Sequence, residues 1–263
     1  MANADDLFAS GDITGARAEL INQVRSEPGN IAVRMFLFQL FSLSGEWKKA
    51  KSQLGTLAKL DPELRMLCVA YSQCIDAEID REKAFSGETD MPVLSKVDWA
   101  EGFSGAVKSF INEEDGADQA LLKMLEGLPE CKGQADDDVK FDWIMDADPR
   151  IGPAIESIIS GRYGLIPFTD LETLTISKPQ DLRDTVWAKA EFGLRLGAKV
   201  SGFIPVRYPG SHNSNDNLVV RGHSTTWHDK NGVELGLGHR TLMMSGGTEK
   251  PLLNFEKITF EAS

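Results

Sequence analysis

With 263 residues and a formal net charge of −12, the chain can bury a sizeable core in one large domain or two smaller ones. Its surface repels nucleic acid and anionic membranes, and no Lys- or Arg-rich run offsets that charge. Three cysteines, Cys68, Cys74 and Cys131, show no CxxC spacing, which points to buried thiols in a reducing compartment rather than to a disulfide framework or a zinc site. Asp5 and Asp6 precede any apolar run, so no secretory leader is expected. The most apolar stretch, MFLFQLF, is broken by Gln39 and ends at Ser42, short of the roughly eighteen apolar residues a membrane span needs. A cytoplasmic protein is the expectation. The charge is uneven: residues 1–140 hold 25 acidic and 15 basic side chains, a net of −10, and residues 141–263 hold 15 and 13, a net of −2. Two parts with different surfaces follow.

The first part repeats. Gly11-Asp12 and Gly45-Glu46 each open a helical pattern, 34 positions apart, and Ala16/Ala50, Leu20/Leu54 and Pro28/Pro62 keep that offset. This is the period of a tetratricopeptide helix pair. Gly permits the tight turn within a pair, Ala permits close helix approach, and Pro28-Gly29-Asn30 or Asp61-Pro62 separates one pair from the next. Helices are expected at 4–9, 12–26, 30–43, 46–59, 63–77 and 78–85. A third unit, with Tyr71 and Ile75 on its first helix and Ala84 on its second, decays into Ser86–Asp90. Phe38 stands where the repeat prefers a small residue, and a period shared by two clear units also arises in an irregular helical bundle. Phe36, Phe38, Leu40 and Phe41 nearly encircle their helix, as a helix buried on both sides requires. The candidate protein-interaction residues are Phe36, Phe38, Phe41, Trp47 and Tyr71.

Trp99, Phe103, Val107, Phe110 and Ile111 recur at helical spacing, as do Ala120, Leu121, Met124, Leu125 and Leu128, giving two amphipathic helices. Residues 129–140 read as a polar connector. Its Asp136-Asp137-Asp138 run lacks the ligand spacing of a calcium loop. From Phe141 the pattern changes. A helix is expected around 151–160, a strand over IPFTDLETLTISKP, a short helix at 181–186, and a strand from Ala188 to Leu194. Further extended pieces fall at 199–206, 217–221, 225–228, 239–244 and 254–260, between Gly-rich turns. The fold class is α+β: helical hairpins over 1–90, connecting helices and linker over 91–140, and a compact, mainly antiparallel β domain over 141–263 whose sheet curls toward a barrel.

Chemistry is sparse. His212, His223, His228 and His239 cluster in the last third without a ligand motif. The odd separation of His223 and His228 sends their side chains to opposite faces of a strand. No GxSxG elbow supports a nucleophilic serine, and the glycines of GVELGLGHR suit close strand packing better than phosphate binding. No catalytic residue, metal or cofactor is expected. Six arginines, Arg150, Arg162, Arg183, Arg207, Arg221 and Arg240, stand beside acids, glycines and aromatics, where a guanidinium can clamp carboxylates or carbonyls. They form either an internal network or a grip on a partner's carboxylate.

WIMDADPRIGPAIESIISGRYGLIPF, KPQDLRDTVWAKAEF, GFIPVRYPGS and GLGHRTLMM, in that order, resemble the ImpE family, also called TagJ, of accessory proteins of bacterial type VI secretion. The matching positions are Trp143, Asp146, Asp148, Arg150, Gly152, Pro153, Glu156, Gly161, Arg162, Tyr163, Pro167, Leu182, Arg183, Asp184, Trp187, Pro205, Arg207, Tyr208, Pro209, Gly238 and Arg240. Their expected role is structural. His239 departs from the family, which favours Gln there. The resemblance implies a non-enzymatic cytoplasmic adaptor without cofactor, binding the small sheath subunit of the contractile apparatus through that subunit's helical N-terminal segment. It further implies coupling of the sheath to the disassembly ATPase ClpV. A structural clamp within the baseplate or sheath assembly, and an unrecognised hydrolase, are the competing readings.

Overall fold

The computed structural model describes residues 3–136 and 139–262. Asp137 and Asp138 of the acidic run lie outside the described residues. Five helices open the chain: α1 (Ala4–Ala9), α2 (Ile13–Ser26), α3 (Ile31–Leu43), α4 (Trp47–Leu60) and α5 (Arg65–Phe85). Asn3, Asp12 and Asn30 start the first three by accepting hydrogen bonds from the backbone N–H of Asp6, Gly15 and Val33. Each helix packs on the next, as the repeat period requires. The repeat residues Ala16, Ala50, Leu20 and Leu54 are all buried, and every residue of α3 from Leu37 to Leu43 is buried, Gln39 and Ser42 included.

The third hairpin does not form. Instead of helices at 63–77 and 78–85, α5 runs without a break for 21 residues. Ala77-Glu78-Ile79-Asp80 contains neither Gly nor Pro to break it, and the helix stops only at Ser86-Gly87, where Gly87 takes φ +77°. Two further helices follow, α6 (Ala100–Ile111) and α7 (Ala117–Glu126), which bury Phe103, Val107, Phe110 and Leu121. No helix among the described residues is long and apolar enough to cross a membrane.

The remainder is an antiparallel β structure. Its main sheet uses β1 (Gly133–Ala135), β2 (Val139–Phe141), β4 (Ala154–Ile159), β5 (Arg162–Pro167), β6 (Leu171–Ile176), β7 (Trp187–Leu194), β8 (Lys199–Pro205) and β13 (Lys257–Phe260). The order is β2-β1-β13-β6-β7-β8-β4-β5. A three-stranded sheet joins β3 (Ile144–Asp146), β11 (Thr241–Met244) and β12 (Thr248–Pro251), while β9 (Thr225–Lys230) and β10 (Val233–Gly238) pair as a ribbon. The main sheet is open, with β2 and β5 at its edges.

Several sequence expectations change here. Residues 129–140, read as a connector, supply β1 and most of β2, and Asp136 is tied down by Lys250 and by the backbone N–H of Glu256 and Lys257. The helix expected at 151–160 is a turn followed by β4. Ala154 to Ile158 is buried on both faces between β5 and β8, so its near-continuous apolar pattern imitates a buried helix. The strand expected through IPFTDLETLTISKP is broken by a 3-10 turn at Phe168–Asp170 into β5 and β6. Residues 217–221, expected to be extended, form the short helix α8 (Asn217–Val220), capped by Asp216.

The core has two parts. One lies inside the β structure, around Ile155, Phe168, Leu174, Phe192, Ile204, Leu242 and Phe255. The other runs continuously from the helices into Trp187, Tyr208 and Leu235.

Candidate functional site

The meeting of the helices with the sheet is the chemically richest place in the molecule. On α5, Tyr71, Cys74, Glu78 and Arg81 follow one another at spacings of three and four and therefore share one face, and all are buried. Tyr71 packs against Phe38, Trp187 and Phe203, with ring centroids 5.8, 5.9 and 5.4 Å away. One turn further on, charges replace aromatics. Arg81 donates to both oxygens of Glu156 on β4, at 2.6 and 3.0 Å, to Glu78 at 3.1 Å, and to the carbonyl of Arg207 at 2.8 Å. The Trp187 indole N–H donates to the other Glu78 oxygen at 2.9 Å.

Arg240 continues the network on the far side of Glu156. It pairs with Glu156 and Asp146, and its Nε donates to the Pro205 carbonyl at 3.0 Å. Tyr163 donates to Glu156 at 2.6 Å and Tyr208 to Asp146 at 3.0 Å. Arg150 grips both oxygens of Asp148, which also accepts from the Gly236 N–H at 3.1 Å. Arg207 reaches back into the helices, donating to the Leu43 carbonyl at 2.8 Å and to that of Val220. Four carboxylates (Glu78, Asp146, Asp148, Glu156) thus stand among four guanidinium groups, of which Arg81, Arg150 and Arg240 pair with them and Arg207 is held by carbonyls.

Electrostatics follow from that arrangement. Burial opposes ionisation of Glu156, but Arg240 and Arg81 outweigh it with help from Tyr163, and the carboxyl is held down to about 2. Burial dominates at Asp146 and lifts it to about 6 despite Arg240. Arg207, buried with carbonyl partners and no directly bonded carboxylate, is lowered to about 10.

Two glycines are fixed by this junction. Gly45, at φ +68°, makes the repeat turn, and a Cβ there would lie 2.5 Å from the ring of His212. Gly238, at φ +93°, presses on the Ser224 carbonyl, where a Cβ would stand at 2.0 Å.

Among the interaction candidates, Phe38, Phe41, Trp47 and Tyr71 are buried within the chain, and Phe36 is half-buried edge-on to Phe8 at 5.8 Å. Trp47 lies against Trp187 and donates to Glu82 at 2.6 Å. Of the family-motif residues, Asp146, Asp148, Arg150, Glu156, Tyr163, Trp187, Pro205, Arg207, Tyr208 and Arg240 belong to the network. Arg183 and Asp184 lie in a 3-10 turn at Leu182–Thr185 capped by Asp181, with the Arg183 guanidinium 5.1 Å from the Tyr71 ring. Gly161 makes the turn from β4 to β5, Pro167 closes β5 opposite Ala154, and Pro209 follows the buried Tyr208. Arg162 is exposed. Trp143, Gly152 and Pro153 stand apart, beside α7, where a Cβ on Gly152 would come 2.7 Å from Leu125.

Glu78 and Arg81 went unrecognised in the sequence. The signal was present, because they extend the 3-4-3 spacing of Tyr71 and Cys74 onto the same helix face. The histidines form no metal centre: among the described residues no three His, Cys, Asp or Glu side chains are grouped to hold an ion. His239 accepts from the Leu253 N–H at 3.2 Å, and burial lowers it to about 4.

Open apolar surface includes two places. On α5, Met66 and Val69 are 85% and 58% exposed, with Glu63 and Arg65 exposed within one turn of Met66 and Asp76, further along, paired with Lys51. A groove of about 530 Å³ lies between α7 and β3, with Trp99 and Trp143 in its walls.

Helical hairpins joined through buried arginine–carboxylate pairs to an open antiparallel sheet define a two-part α+β scaffold. Residues 138–259 match the family model described as ImpE protein. The chain is 32% identical over 260 residues to the type VI secretion system accessory component TagJ of Pseudomonas aeruginosa, covering 98% of this chain and 91% of that protein. It belongs to the ImpE family. The crystal structure of protein VPA1032 from Vibrio parahaemolyticus has the same fold, with a TM-score of 0.88 at 22% identity over 99% of this chain and 98% of that one.

Proposed function

We propose that this protein is a non-enzymatic, cytoplasmic accessory component of a bacterial type VI secretion system. It acts as an adaptor that binds the small sheath subunit through that subunit's helical N-terminal segment and couples the sheath to the disassembly ATPase ClpV. The observation that carries the reading is the 32% identity to a protein named as an accessory component of that system, sustained over 98% of the chain. The distribution of titratable groups supports it. The densest cluster, around Glu156 and Arg240, is buried and mutually paired, which suits a joint between two parts better than a reacting centre.

Residues 1–90 are the docking half and residues 141–263 the base that holds it. Because Phe38, Phe41, Trp47 and Tyr71 are used internally, the contact falls on the open face of α5, where Met66 and Val69 offer apolar anchors among exposed charges of both signs, Glu63, Arg65 and the Lys51–Asp76 pair. An amphipathic helix suits that face. The test is calorimetry of the full-length protein with its own small sheath subunit at physiological salt. Micromolar or tighter binding, weakened about tenfold or more by Met66→Glu with Val69→Glu, is expected. No heat and no co-elution would overturn the adaptor reading, and undiminished binding by the double variant would move the contact off α5.

A further inference from the structure

An adaptor needs a second surface, and the groove between Trp99 and Trp143 has the chemistry of one. Its apolar walls come from Trp99, Leu122, Leu125, Trp143, Met145 and Pro153, so α7, the turn before β4 and the start of β3 all contribute. Leu122 is 39% exposed, an aliphatic side chain left facing the opening. A volume of about 530 Å³ lies within the range of sites that enclose a ligand or an anchoring side chain. Trp99 meets Phe103 edge-on at 5.8 Å, which fixes its ring in place. The walls are therefore built and held, and the space between them is open.

The charged side chains that line this groove are both acidic. Glu126 and Glu130 line it, and among the described residues neither carboxylate has an ion pair or hydrogen bond. Among the described residues no basic side chain lines this part, and Arg195, which touches Cys131 in its wall, is engaged by the carbonyls of Thr169 and Glu261. Lys96, Asp98 and Lys123 stand along an adjoining extension beyond Trp99. An indole face attracts a cation, most strongly when a carboxylate is nearby and water is partly excluded. A second copy of the chain would bring −12 against −12, and nucleic acid or an anionic bilayer would be repelled likewise.

We infer that the groove between Trp99 and Trp143 is a docking site for a partner segment in which an aliphatic side chain stands beside Lys or Arg. The aliphatic side chain enters between the indoles against Leu122, and the cation meets Glu126 and Glu130. The site goes beyond the α5 contact and rests on the adaptor reading only in that its occupant is a protein segment.

The test titrates the full-length protein with an amphipathic peptide of leucine and lysine at helical spacing, following the indole N–H resonances of Trp99 and Trp143. Each is assigned through its Trp→Phe variant. Both resonances should move, a leucine–glutamate peptide of the same pattern should leave them in place, and Glu126→Lys with Glu130→Lys should weaken binding about tenfold or more. Leu122→Glu, at a position 39% exposed, should do the same. Equal binding of both peptides, movement confined to Trp47, Trp187 or Trp227, or full affinity in the charge-reversed variant would overturn the site. Sheath calorimetry on the same proteins keeps the two readings apart. Absence of heat with the wild type would sink the α5 adaptor contact alone, whereas the indole titration decides the groove.

Discussion

The junction inside the repeat and the junction between repeat and sheet are closed by different means. Between α3 and α4 the contact is apolar, built from Leu40, Leu43, Ala50 and Leu54 around the Gly45 turn. Between α5 and the sheet ions are added to aromatic packing: Tyr71 lies on Trp187 and Phe203, and Glu78, Arg81, Glu156 and Arg240 form the buried charges beside it. Apolar surfaces slide and tolerate exchange, which is what stacking similar hairpins requires. A buried ion pair adds little net stability over a well-packed apolar substitute, yet losing one member is severe, because the other is then stranded away from water. At the seam the charges must meet in register, while a continuous apolar core runs through repeat and seam alike.

The sharpest way to break this comparison is Arg240→Ala, which leaves Asp146 with no ion-pair partner and Glu156 with Arg81 alone. A loss of about 3–5 kcal/mol in urea unfolding is expected. A cost no larger than that of a surface pair would show that the ions do not hold the seam. Leu40→Ala, fully buried inside the repeat, should cost about 3 kcal/mol with an unchanged denaturant slope.

A pH series sharpens the comparison further. Glu156, held at about 2 against 4.5 for the free group, contributes stability that is complete above about 4.5 and is lost as pH falls toward 2. Asp146, raised to about 6 from 3.8, works in the other sense, and stability gained from it grows as pH falls from about 6 toward 3.8. The difference between wild type and Glu156→Gln should thus be steady above pH 4.5 and shrink below it, and a difference independent of pH would contradict the pairing. The smallest effect is expected at Lys51–Asp76, an exposed link between α4 and α5, where Lys51→Ala should change stability by no more than about 0.5 kcal/mol.

The repeat was legible because its determinants are local. Gly11, Gly45, Ala16, Ala50 and the prolines set turns and close contacts through their own geometry. The β half was less so. AIESII reads as a helix until β5 and β8 are known to flank it, and the 217–221 segment reads as extended until Asp216 is seen to cap it. The network was half legible. Arginines beside Gly, Pro and aromatic residues drew notice, but Arg81, which shares Glu156 with Arg240, belongs to another element 75 residues from Glu156, and only the tertiary fold joins them. The groove gave no sequence signal, because Trp99 and Trp143 lie on segments 44 positions apart that meet only once α7 packs beside β3.

The unbroken course of α5 has a mechanical consequence. At about 1.5 Å per residue its 21 residues span about 31 Å, with Met66 near one end and Arg81 anchored in the sheet near the other. With no hinge between them, the helix acts as a ruler. A load applied at its free face would reach the sheet along one uninterrupted helix, with no loop between the two ends to take it up.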